Sequence, residues 1–235
     1  MAIPLFLAMT GAQFQSCSVK PAYIAWMGCH FSPYGAGLSN LPPALPSGSA
    51  VMVNDRIPIC GHRKELIAQQ LQQITEQLPC SGIVLDFQRT GEEETARLAR
   101  YLVSALSCPV AVSDHYAKEL DCPVFLSPCP HHVPLSSYLQ PWKGRSLWLD
   151  LASDAETITL TRTHSRIHPL PLGELPEGGH SDSLLHCHYS IESRQNQAQF
   201  TLWRTKEDRK ALAREAEDLG AEAPVGLYSE WEPER

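Results

Sequence analysis

Asp86 and Gln88 are the residues in this chain best placed for chemistry. They end the run Ser81-Gly82-Ile83-Val84-Leu85-Asp86-Phe87-Gln88. Side chains alternate along a strand, so Val84, Asp86 and Gln88 share one face. A carboxylate at the end of an apolar strand is costly unless it is paired or used. That places Asp86 and Gln88 on the floor of a site. Other acids end apolar runs in the same way: Asp55, Asp114, Asp150 and Glu230. Two carboxyl groups facing each other across such a mouth would supply the acid and base of glycoside hydrolysis. His186 and His188, with a carboxylate, are the one conceivable zinc set, but the spacing is generic and structural or surface histidine is the simpler reading. No metal or cofactor is expected. No Gly-x-Ser-x-Gly elbow or Cys/His pairing supports a nucleophilic hydrolase.

The elements that must hold these residues alternate. Strand-like runs at 4–9, 22–27, 50–53, 82–88, 109–113, 123–127 and 146–151 are followed by a last one at 225–228. Helical spacing appears over 62–78, with Leu66, Ile67, Leu71, Ile74 and Leu78 apolar before Pro79, and over 92–106, with Leu98, Leu102 and Leu106. A charged helix spans 206–219 and stops at Gly220. Strands alternating with helices give a parallel sheet. Eight such strands give a (β/α)8 TIM barrel, with thin connections at strands one, five and six and site residues at the C-terminal strand ends. Alternating residues at 157–163, 184–191 and 199–204 mark a small inserted β-rich (α+β) segment between strands seven and eight. One barrel domain over 1–235, with an insertion at about 153–200, is therefore expected. An open doubly wound sheet is the alternative. The absence of Gly-x-Gly-x-x-Gly after strand one, and of a phosphate loop, weakens it.

Composition narrows the function. With 235 residues, 43% of them hydrophobic, the chain can bury a real core. A formal net charge of -7 offers no basic footprint, which argues against nucleic acid. No run approaches membrane-span length. The apolar start, residues 1–9, is short and lacks a basic region, so it reads as strand rather than signal peptide. A cytoplasmic or spore-associated protein is expected. The eight cysteines are scattered without a Cys-x-x-Cys pair, and buried free thiols are the plain reading.

The run 81–88 resembles the fourth barrel strand of glycoside hydrolase family 18, the chitinase-like enzymes, which reads Asp-Gly-apolar-Asp-apolar-Asp-Trp-Glu. Gly82, Ile83, Leu85, Asp86 and the aromatic Phe87 match; Ser81 and Val84 replace two aspartates, and Gln88 replaces the glutamate. A second stretch is similar to the end of the spore-cortex-lytic branch: Gln199-Phe200-Thr201-Leu202-Trp203, the helix 206–219, and Gly226-Leu227-Tyr228. The resemblance implies that Asp86 orients an N-acetyl group whose own oxygen attacks the anomeric carbon, the substrate-assisted exception to two-carboxylate chemistry. It also puts Gln88 in the seat of the acid. An amide has no proton to transfer near neutral pH, and general-acid help is worth about 10²–10⁴-fold. The closing strand carries a tryptophan in that branch. Here Glu230 falls at that position and Trp231 one later, so either a bulge lets Trp231 floor a sugar site or Glu230 points into the barrel as a replacement carboxylate.

Function expectations follow. The leading one is a glycan-binding or inactive barrel for an N-acetylglucosamine-containing glycan, using Asp86 and Gln88, with Trp231, Trp26, Asp55, Asp114, Tyr116 and Asp150 as substrate-binding residues. An active glycosidase with a relocated acid, Glu230 or Asp114, is the second. A structural or sporulation protein without a ligand is the third. For Asp114 a competing role is capping the turn after strand five.

Overall fold

The computed structural model describes residues 3–33, 35, 37–59, 63–152, 155–171, 174–176, 178–194 and 196–231. It divides into two compact units. One comprises Met1–Ser127, Gly144–Asp150 and Ala221–Arg235; the other comprises Pro128–Lys143 and Leu151–Gly220.

The first unit is a closed parallel barrel. The chain runs β1 (Phe6–Met9), α1 (Gly11–Ser16), β2 (Ile24–Phe31), the two-residue β3 (Leu38–Ser39), β4 (Ala50–Asn54), α2 (Lys64–Gln77), β5 (Gly82–Asp86), α3 (Glu93–Ala105), β6 (Val110–Ser113), α4 (Asp114–Ala117) and β7 (Val124–Leu126). After α5 (Leu135–Leu139), which belongs to the second unit, comes β8 (Leu147–Asp150). The second unit then contributes β9 (Ala155–Thr161), β10 (Ser165–Leu170), β11 (His180–Asp182), β12 (Cys187–Arg194), β13 (Gln197–Trp203) and α6 (Lys206–Asp218). The barrel closes with β14 (Ala223–Leu227) and a short α7 (Tyr228–Trp231). Its strand order is β1-β14-β8-β7-β6-β5-β4-β2, and β2 pairs back onto β1. All eight pairings are parallel. This is a (β/α)8 barrel with an added antiparallel sheet. The fourth barrel strand is β5, because the extra β3 lies antiparallel on β2.

The helices form where apolar residues recur every three or four positions. Ile67, Ala68, Leu71 and Ile74 form the buried face of α2, and Thr95, Leu98, Ala99 and Leu102 that of α3. The connections at strands one, five and six are short, as expected: α1, α4 and α5 have 6, 4 and 5 residues. Small and large side chains alternate inside the barrel. Ala8, Ala25 and Ala111 sit among Phe6, Met52, Phe125 and Trp148, and the Phe6 and Trp148 rings stack at 5.1 Å. Val84 and Val225 belong to the same interior cluster. The barrel centre is therefore packed rather than open.

The second unit carries a five-stranded antiparallel sheet, order β10-β9-β13-β12-β11. Strands β10 and β11 lie between the alternating runs 157–163 and 184–191. Pro169 sits in β10, an edge strand, the place in a sheet that tolerates proline. Helix α6 starts at a capping box in which Thr205 and Asp208 satisfy each other's backbone. Seven cysteines are described and all are free, with Cys29, Cys129 and Cys187 buried. Cys60 lies outside the described residues. No helix among the described residues is long and apolar enough to cross a membrane.

Strands β5 and β6 approach closely at Gly82, where an added Cβ would lie 2.8 Å from the Pro109 carbonyl oxygen. Gly82→Ala should therefore destabilise the barrel by about 1–3 kcal/mol. A lower urea midpoint with unchanged slope is the expected readout.

Candidate functional site

Interior parity defines what each strand presents at its C-terminal end. Val84 is in the barrel interior, so Asp86, two residues on, faces the same way. By the same count Asn54 on β4, Ser113 on β6 and Asp150 on β8 face inward beyond Met52, Ala111 and Trp148. Asn54 and Asp86 are paired in register. Gln88 lies just past the end of β5, and its amide Nε2 donates to Asp86 Oδ1 at 2.5 Å.

The segment 87–89 that carries Gln88 is fastened from both sides. On the β4 side, Asp55 is 3% exposed, and its carboxylate accepts the backbone N–H of Gln88 at 3.0 Å and of Arg89 at 2.9 Å. Arg89 returns the contact: its Nε donates to the Asp55 carbonyl at 3.0 Å and its Nη2 to the Arg56 carbonyl at 3.2 Å. On the β6 side, buried Ser113 donates its Oγ–H to the Phe87 carbonyl at 2.8 Å. The Tyr116 hydroxyl donates to the Arg89 carbonyl, and its ring meets Phe87 edge-on at 6.3 Å. Burial holds the Asp86 carboxyl above its usual range. The Gln88 bond opposes that shift, the Asp55 charge adds to it, and Arg56 opposes it.

Several expected roles change. The Asp55 oxygens are occupied by backbone N–H groups, so it positions Gln88 rather than presenting itself to a ligand. Asp114 is the first residue of α4 rather than its cap, which is Ser113 without a side-chain cap bond; the Asp114 carboxylate accepts the His115 backbone N–H at 3.0 Å. Trp26 lies between Ala25, in the interior, and Met27, packed against it, so its ring is on the outer face. There its indole N–H donates to the Asn40 carbonyl at 3.0 Å, and the ring lines an outer groove of about 630 Å³ with Phe14, Gly28 and Leu41.

The closing segment settles differently from either strand alternative. The strand ends at Leu227, and residues 228–231 turn into α7, so strand alternation does not extend to Glu230 or Trp231. Trp231 folds back over Gly226, where a Cβ would stand 2.2 Å from its Nε1. Gly226 alternates with the interior residues Ala223, Val225 and Leu227, so this indole also lies on the outer face. Neither tryptophan floors the barrel mouth. The structure therefore gathers Asp86, Gln88, Asp55 and Tyr116 around one loop and leaves Asp150 on the interior face of β8.

His186 and His188 face different carboxylates. His186 is not on the strand: its φ is 47° and β12 begins at Cys187. Its Nε2 lies 2.5 Å from Glu215, whereas His188 Nδ1 lies 2.8 Å from Asp208. Among the described residues no group of three or more His, Cys, Asp or Glu is placed to hold a metal ion.

Sequence reasoning missed Asn54, Ser113 and Arg89. The signal for the first two was their place one residue before Asp55 and Asp114. Both faces of a barrel strand are apolar, so alternation alone does not say which face is the interior.

Comparison with solved structures decides the fold. The chain superposes on a family 18 chitinase from Cycas revoluta in complex with (GlcNAc)3 at a TM-score of 0.57 and 8% identity, over 94% of each chain. It matches the chitinase-like agglutinin of Robinia pseudoacacia at 0.58 and 12%, over 97% of this chain and 95% of that one. The spore cortex-lytic enzyme SleL of Bacillus megaterium gives 0.55 and 8%, over 97% of this chain and 72% of that one. The fold is that of the chitinase-like glycoside hydrolases of family 18. No family model matches the chain, and no curated protein matches it.

Two outcomes test the site's construction. Asp55→Ala removes the acceptor of two backbone N–H groups and should cost about 2–3 kcal/mol in urea unfolding, with Asp55→Asn milder. Asp86 has the opposite sign. A carboxyl whose folded pKa lies above its unfolded value penalises the fold once ionised, so the penalty is absent at low pH and grows as pH rises through the carboxylate range. Asp86→Asn should therefore raise thermal stability near neutral pH and lose that advantage below about pH 4.

Proposed function

We propose that this chain is a degenerate member of the family 18 lineage, a single barrel domain with an insertion, that binds an N-acetylglucosamine-containing glycan without hydrolysing it. The observation that carries this is the Asp86–Gln88 pair. Gln88 stands where the resemblance puts the general acid, and its amide donates to Asp86 instead of offering a proton to a leaving group. Loss of general-acid help alone removes about 10²–10⁴-fold in rate. Asp86 keeps the capacity to accept the N–H of an N-acetyl group. Asp150 is the further interior carboxylate we assign to the ligand, with Tyr116 bracing the loop beneath Gln88. The likeness to a chitinase-like agglutinin and to a chitinase holding (GlcNAc)3 supports carbohydrate as the partner. The likeness to a spore cortex-lytic enzyme makes a spore compartment the setting we favour.

A relocated acid receives less support. Asp114 is engaged in its own helical turn, and Glu230 sits on α7, which packs against β1 and β14.

Calorimetry with (GlcNAc)3 should show binding that Asp86→Ala and Gln88→Ala each weaken by about tenfold, or about 1.4 kcal/mol. Reducing-end assays on the same oligosaccharide should show no turnover by the parent chain. Turnover that survives Gln88→Ala would establish a relocated acid. Absence of binding in the parent would remove the glycan reading.

A further inference from the structure

The antiparallel sheet of the second unit has two unlike faces. Directly opposed residues in such a sheet lie on the same face. The register sets Ile167 opposite Ile158, Ile158 opposite Phe200, and Phe200 opposite Ile191. One apolar side chain from each of β10, β9, β13 and β12 therefore forms a single row. The next row outward places Leu160 and Ala198 between Ser165 and Ser193. Residues one step along each strand point to the other face. There the same four strands present Arg166, Thr159, Gln199 and Glu192.

A sheet patterned in this way keeps its polar face in water and its apolar face on a core. The base of the apolar face obeys the rule. Leu202 is buried there, and Glu156, opposite it, is bonded to His132 at 2.8 Å. The outer rows do not obey it. Ile167 and Ile191 are each 52% exposed and Leu160 is 40% exposed, with Ile158 and Phe200 half-buried between them. Single exposed apolar residues are ordinary, but a contiguous patch that crosses four strands in register marks an interaction surface.

We infer that this face packs against the same face of a second copy of the chain, as a weak two-fold dimer. Charge and chemistry choose that occupant. The two outer rows hold no ionisable side chain, so two copies meet there without like-charge repulsion. Their polar side chains are two serines at the rim, too few to recognise a glycan, and they hold no Lys or Arg for an anionic lipid surface. A flat, uncharged, aliphatic face is matched by another of the same kind, and a two-fold contact sets one patch on itself. Two such sheets stack at about 10 Å. Size sets the strength. Four strands and two rows cover roughly 19 Å by roughly 14 Å, so two copies bury on the order of 500 Å². That is well short of the ~1,200 Å² of stable complexes and belongs with transient ones. Every residue of the patch lies in the second unit, so the inference goes beyond the barrel reading and does not rest on it.

Sedimentation velocity of the full chain, from about 10 µM to about 1 mM, tests it. The mean mass should climb towards that of a dimer, with a Kd of about 100 µM. Added NaCl should tighten the association, because the contact is apolar and each copy carries a formal net charge of -7 that salt screens. Ile167→Lys and Ile191→Lys should each weaken it by about tenfold or more while the circular dichroism stays that of the parent. His168→Lys, one residue from Ile167 and on the other face, should leave it unchanged. A chain that stays monomeric to about 1 mM, or a dimer that both isoleucine variants leave intact, overturns the inference. So does a monomer that co-sediments with phosphatidylcholine vesicles until Ile191→Lys abolishes it, which would give the face to a lipid surface. Glycan binding is scored apart from mass. A dimer without (GlcNAc)3 binding fails only the barrel reading, and (GlcNAc)3 binding by a monomer fails only the dimer.

Discussion

The Asp55 carboxylate accepts two consecutive backbone N–H groups, those of Gln88 and Arg89, and the candidate site depends on that bond pair. Without it, the chain between β5, which ends at Asp86, and α3, which begins at Glu93, would lose the acceptor of its two N–H groups. Two part-buried N–H groups without their acceptor would favour a different loop course. Ser113 and Tyr116 act from the other neighbouring strand on the carbonyls of the same segment. Donors are thus met on the β4 side and acceptors on the β6 side. The Gln88 side chain is aimed at Asp86 because the backbone beneath it is held on both flanks.

Asp86 stands in a different energetic position from Asp55. Both are acids at strand ends, but Asp55 is supplied with N–H donors from the main chain, whereas the one side-chain donor seen on Asp86 is an amide. Burial therefore prevails at Asp86 and raises its pKa. A carboxyl held above its ordinary range at the end of a packed barrel strand works against stability near neutral pH, and such positions cluster where function requires them. The barrel tolerates the cost because its interior is otherwise well filled, with Trp148 stacked on Phe6 beneath the strand ends.

The barrel was legible because its signals are periodic and local. Helical spacing over 62–78 became α2 (Lys64–Gln77), and the run 206–219 became α6 (Lys206–Asp218). The strand floor with Asp86 was legible for the same reason. What the sequence could not carry was facing. Trp26 and Trp231 read as sugar platforms because aromatic residues near strand ends often are, yet one alternates with Ala25 and the other folds over Gly226. Both facts depend on which side of a doubly apolar strand is the interior, and only assembled neighbours settle that. Asp55 was found by its position and misjudged in its role, since a backbone acceptor and a ligand acceptor look alike in sequence.

The differences in residue class between the run 81–88 and the strand it resembles all fall at acidic positions. Ser81, Val84 and Gln88 each stand where the strand that this run resembles has an acid, and Asp86 is the lone carboxylate of the run. Val84 now belongs to the barrel's apolar interior, where a carboxylate would need a proton or a partner. With valine at position 84, Asp86 has no carboxyl two residues below it on the strand, and from Gln88 it receives a fixed hydrogen bond rather than a titrating one. Proton transfer needs groups whose charge can change in step with the reaction; recognition needs donors and acceptors that hold still. An apolar residue at position 84 and an amide at position 88 leave the strand end with one titrating group, Asp86, and one fixed donor to it, Gln88.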